Sequence, residues 1–145
     1  MTVRAGRIAI ALLLCGAAAN APAAGRPVAL ELEQIDAEFD AARERCHDYA
    51  GQARNVCDAE ARAARRIRKV ELAARELGTT KGWYDAQIAR AEAEFDVAKE
   101  RCGTRAGAER EACVAEARAR EAQAKDEARR ARNAAEGQGG GSPRK

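Results

Sequence analysis

An all-α chain of two tandem, disulfide-clamped helical hairpins, about four helices ending in a long exposed one, is the fold that this sequence predicts. Three observations carry the prediction. The first is composition: aromatic residues are 3%, charged residues 34%, and most of the 46% hydrophobic fraction is alanine. Alanine, Glu and Arg favour long solvated helices, and β-branched or aromatic residues never cluster as strands require. The second is an internal repeat. Phe39-Asp40-Ala41-Ala42-Arg43-Glu44-Arg45-Cys46, ten residues and Cys57-Asp58-Ala59-Glu60-Ala61-Arg62 return, ungapped and 56 positions later, from Phe95 to Arg118. Positions 37 to 63 share 17 identities in 27 with their counterparts. The third is the spacing of four cysteines, two per copy.

In chain order, residues 1–23 read as a secretory signal peptide. Arg4 and Arg7 precede an apolar run from Ile8 to Ala19, and Ala21-Pro22-Ala23 offers a cleavage site. That run is too short to span a bilayer, which takes ~20 apolar residues. Leu12-Leu13-Leu14-Cys15-Gly16 suggests a rival, a lipidated Cys15, but Leu14 stands where a lipoprotein box needs a small residue. Without Arg4 and Arg7 the formal charge falls from +3 to +1 (3 − 2), so no global field points to nucleic acid.

After a lead-in over 24–34, the first copy (35–77) opens with a helix from about Glu31 to Cys46, whose stripe is Leu32, Ile35, Phe39, Ala42 and Cys46. Gly51 breaks it, and a second helix runs from about Gln52 to Leu77 with Val56, Ala59, Ala63, Ile67, Val70 and Ala74 at helical spacing. Asp58/Arg62 and Glu71/Arg75 stand at i, i+4, where such pairs contribute a few tenths of a kcal/mol. A linker follows at 78–82, with Gly78 suited to a C-cap and Thr79 or Thr80 to an N-cap. The second copy (83–135) holds a third helix, Trp83 to Cys102, and a fourth from about Ala108 to Ala135. From Arg118 onward the fourth helix has no large apolar residue, so nothing in its sequence forces it to pack. A glycine-rich tail at 136–145 is expected to be disordered. Phe39, Phe95 and Trp83 are the candidate packing residues, Trp83 covering one end of the helices.

Cys46, Cys57, Cys102 and Cys113 are the candidate disulfide residues. Eleven residues along one helix is ~16 Å, whereas a disulfide needs Cα atoms within ~7 Å. Pairing within a copy therefore requires a turn, which the glycines in each gap favour. The competing connectivity, Cys46–Cys113 with Cys57–Cys102, would bridge two long antiparallel helices. Zinc is the chemical rival. The ten-residue gap lacks the Cys-x2-4-Cys spacing of zinc sites, and His47 aligns with Gly103, so no metal or other cofactor is expected.

Catalysis is not expected either. The chain offers one histidine, one serine beyond the leader, and no phosphate loop or nucleophile elbow. Arg65-Arg66-Ile67-Arg68-Lys69 and Arg129-Arg130-Ala131-Arg132 are candidate contacts for anionic surfaces, set against a simpler role as charged helix faces.

The motif Glu-Phe-Asp-x-Ala-(Arg/Lys)-Glu-Arg-Cys, ten residues, Cys-x-Ala-Glu-Ala-Arg resembles a group of small exported proteins of Gram-negative bacteria, over about residues 31–120. Members are sometimes labelled Tol-like or envelope-biogenesis proteins. The resemblance implies export to the periplasm or beyond, a helical fold and no catalytic residues. The function expected is an exported, non-catalytic structural or interaction protein of the cell envelope. The alternative is a periplasmic chaperone-like or binding module that uses an apolar helix stripe.

Overall fold

A computed structural model describes residues 27–139. The signal-peptide reading, Cys15 and the last six residues lie outside that span. Four helices make up the described chain: α1 (Val28–Cys46), α2 (Gly51–Leu77), α3 (Thr80–Arg101) and α4 (Gly107–Gly139), with one 3-10 turn, Cys102–Thr104, after α3. No strand is present among the described residues.

The turns are set by glycine. Gly51 and Gly107, 56 residues apart, begin α2 and α4 with φ of +56° and +52°, a left-handed conformation that costs a residue with a Cβ ~1 kcal/mol or more. Between the hairpins Gly78 ends α2 with φ +61°, its N–H donating to Ala74 O at 3.0 Å. Thr79 then caps α3, its Oγ1 accepting from Gly82 N at 3.0 Å. A residue with its own side chain at Gly82 would crowd that hydroxyl, which lies 3.1 Å from the Cβ position.

Each helix packs antiparallel on the next in sequence: α1 on α2, α2 on α3, α3 on α4, and no other pair of these helices makes more than marginal contact. The result is an open layer rather than a closed bundle. Its buried set is thin. Ile35, Leu72 and Val97 are its only members larger than cysteine among the described residues, and the rest are Cys46, Cys102, Gly82 and alanines.

Two expectations are corrected. The helices reach further than the composition suggested: α1 begins at Val28, inside the expected lead-in, and α4 continues through Glu136 to Gly139, inside the expected tail. In addition, the second half of α4 does pack. Ala128 is buried, Lys125 reaches Glu92 on α3 at 3.1 Å, and the Arg132 guanidinium stacks 4.4 Å from the Tyr84 ring. Alanine lets the two backbones approach, and charge and a cation–π contact supply the attraction that bulky apolar residues would otherwise give.

Candidate interaction surface

The cysteines sit at the two corners that the glycines make. Cys46, the last residue of α1, is bonded to Cys57 in the second turn of α2, with Cα atoms 5.6 Å apart. Cys102 and Cys113 repeat the arrangement between α3 and α4 at 5.8 Å. Pairing is thus within each copy, and the cross-copy alternative is absent. Both partners at the helix ends, Cys46 and Cys102, are fully buried. His47 lies just beyond the first bond with its ring exposed, Nδ1 4.0 Å from Glu44. Among the described residues no group of three or more potential ligands gathers to hold a metal.

Phe39 and Phe95 take the same place in their hairpins, each half-buried on the side that faces the partner helix. Neither ring is left as bare apolar surface. Arg65 of α2 lies 4.8 Å from the Phe39 centroid with Arg43 at 5.9 Å, and Arg118 of α4 stands 5.9 Å from Phe95. Trp83 is less engaged than its size suggests. It keeps 45% of its surface exposed in the first turn of α3, at the edge of a groove of about 340 Å³ that runs between Thr80, Tyr84, Ala128 and Arg132. A second groove, of about 480 Å³, crosses α2, α3 and α4 over Ile67, Phe95, Ala98, Ala117 and Ala124, with Glu60, Arg101 and Arg120 on its rim.

The charges are where the structure departs most from expectation. Asp58/Arg62 and Glu71/Arg75 do not pair along α2. Asp58 meets Arg43 of α1 at 3.4 Å, Glu71 pairs with Arg90 of α3, and Arg75 with Glu31 of α1. The basic run is consumed in the same way. Arg65 and Lys69 both bond Asp36 (2.6 and 2.7 Å), Arg68 pairs with Glu38, and Arg66 reaches Glu92 at 2.5 Å. Four cations of a run offered either as a contact for anionic surfaces or as a charged helix face are thus ties from α2 to its neighbours on either side. The repeat extends to this network: Lys69–Asp36 in the first hairpin becomes Lys125–Glu92 in the second, each residue shifted by 56. Electrostatics follow the contacts. Asp36 is held below its ordinary carboxylate range, first by the Lys69 hydrogen bond and then by Arg65, while Glu92 is lowered by Lys125 and then Arg66. Lys125 is raised in turn, first by Glu121 and then by Glu92.

Every one of these shifts favours the charged form, and no polar or charged side chain among the described residues is buried. A general acid or base working near neutral pH is tuned the other way, by desolvation against its charge. Among the described residues the arrangement presents small helix faces and two grooves, with charged side chains beside them. No helix of the described residues is long and apolar enough to cross a membrane.

The all-α class of disulfide-clamped hairpins is as far as the fold itself takes the classification. No family model, curated protein or solved structure matches the chain.

Proposed function

We propose that this chain is an exported, non-catalytic helical scaffold of the bacterial cell envelope, working through protein contacts along its helix layer. The observation that carries the proposal is the pair of disulfides. Such bonds persist in oxidising compartments and are rare where thioredoxin and glutathione keep thiols reduced. Each closes a loop of about a dozen residues and contributes ~3 kcal/mol in the chain-entropy account. That matters for a layer whose core is mostly alanine. Together with the signal-peptide pattern in the sequence of residues 1–23, this favours the periplasm or secretion over the cytoplasm. Subcellular fractionation tests it: the chain is expected in the envelope fraction with no free thiol among Cys46, Cys57, Cys102 and Cys113. Cytoplasmic, reduced protein would contradict it.

The groove over Ile67 and Phe95 supports a second reading, a chaperone-like module that captures apolar segments. Arg118 over Phe95 and Arg65 over Phe39 favour the scaffold. Binding of a hydrophobic dye by the folded, oxidised chain would reverse that preference.

A further inference from the structure

The two hairpins meet through α2 and α3, and the contact is made by small residues, Ala59 and Ala63 against Ala93 and Val97. Shifted by the 56-residue repeat, the α2 half of this contact becomes Ala115 and Ala119 on α4. The α3 half becomes Ala37 and Ala41 on α1. Three of the four counterparts are identical residues, and all four are exposed. The two halves of the internal interface are thus displayed, uncovered, at opposite edges of the layer. On α4 the stripe is longer still: Ala108, Ala112, Ala115, Ala119 and Ala122, at intervals of 4, 3, 4 and 3, all exposed. Repeat arrays that end in solution close themselves with polar outer faces. This one does not.

We propose that copies of this chain associate head to tail, the outer face of α4 in one protomer packing on the outer face of α1 in the next, with the geometry that α2 and α3 adopt inside the chain.

Two further observations fit a second copy as the occupant. The first is volume. Inside the chain Gln52 of α2 lies against Gly103, where a Cβ would stand 2.4 Å from Gln52 Nε2. At the outer edges the two positions become Ala108 and His47. The large residue has moved to the other side of the contact, and the small one faces it. The second is charge. Arg101 bonds Glu60 at 2.6 Å between the hairpins. Their counterparts are Arg45 on α1, which has no ion-pair partner among the described residues, and Glu116 on α4, held only by Arg120 at 3.7 Å. Arg45 of one copy and Glu116 of the next would remake the pair. Because the two faces differ, the contact is heterologous and leaves one face of each kind free, so growth passes beyond the dimer, to a closed ring or an open filament.

The inference gives the scaffold reading its partner. It rests on the interface and not on export, so its failure would leave the fractionation result standing. The test is sedimentation equilibrium of the oxidised full chain over a concentration series, with Ala41→Glu and Ala119→Glu as probes. Both positions are exposed on helices, where glutamate is a good helix former, and circular dichroism verifies the fold. Wild type is expected to show a mass that rises with concentration, without a plateau at dimer. Each variant alone is expected to associate at least about tenfold more weakly. An equimolar mixture of the two should form a complex that stops at two chains, because each retains one intact face. Wild type that stays monomeric to ~1 mM, the weak end of specific association, would overturn the proposal. So would either variant alone dimerising like wild type, or a mixture that gains nothing over its components.

Discussion

Gly103 and His47 hold equivalent places after the two buried cysteines, and the difference between them is explained by what each turn meets. The second turn lies against the start of α2, where Gln52 Nε2 donates to Glu100 O at 2.5 Å, and only glycine leaves room for that side chain. The first turn lies at the edge of the layer and tolerates an imidazole. Gln52→Ala is expected to cost about 1 kcal/mol, the net worth of an ordinary hydrogen bond. Gly103→Ala alone loses the same bond, because Gln52 must swing away, but recovers up to ~1 kcal/mol from the stiffer unfolded chain. In the Gln52→Ala background Gly103→Ala therefore becomes neutral or stabilising. Denaturant unfolding of the four chains measures the non-additivity. Asp36 supplies a pH-dependent case. Its folded pKa is depressed, first by Lys69, so its contribution is fully present above the ordinary value of 3.8 and is lost as pH falls through the lower folded value. The stability gap between wild type and Asp36→Asn is expected to be small at neutral pH and to close in that acid window. A gap that stays constant to lower pH would contradict the role given to Lys69 and Arg65.

At the scale of the element, the charged, 3-and-4-spaced pattern made each helix legible and the glycines placed the corners. What the pattern concealed was the second face. α3 buries Ala91 and half-buries Phe95, over which Arg118 of α4 stands. It also buries Gly82, Ala86, Ala93 and Val97, and three of these four are too small to stand out in an alanine-rich sequence. The charge pairing was hidden for a related reason. Asp58 and Arg62 have the right separation to bond along α2, but Arg43 on α1 competes for Asp58 once the helices pack, and sequence spacing carries no information about a neighbour. The disulfides hold the elements together where that packing is thin. Replacing Cys46 and Cys57 by serine is expected to cost about 3 kcal/mol. The Cys102/Cys113 replacement should cost a similar amount, since its loop has the same length, and thermal unfolding of each oxidised variant reads the loss directly. Phe39→Ala should cost about 2 kcal/mol, below the ~3–5 kcal/mol of a fully buried phenylalanine, because its ring is only half-buried, under Arg43 and Arg65.

For the whole molecule, the open layer is the consequence of a sequence with few large apolar residues and many paired charges. A closed bundle would need a central core, and only Ile35, Leu72 and Val97 exceed cysteine in size among the buried set. A layer needs only pairwise seams, which alanine, two disulfides and interhelical ion pairs can supply. Individually such exposed pairs contribute ~0–1 kcal/mol and weaken with salt. The layer as a whole is therefore expected to lose stability between low and high ionic strength, while its disulfide corners hold their connectivity. Those corners are the part of the account on which the hairpins, the layer and the proposed compartment all depend. Non-reducing peptide mapping of the protein recovered from its native compartment tests them most directly. Two linked peptides are expected, Cys46 with Cys57 and Cys102 with Cys113, and no free thiol at these four positions. Recovery of Cys46 joined to Cys113, or of reduced cysteines, would contradict it.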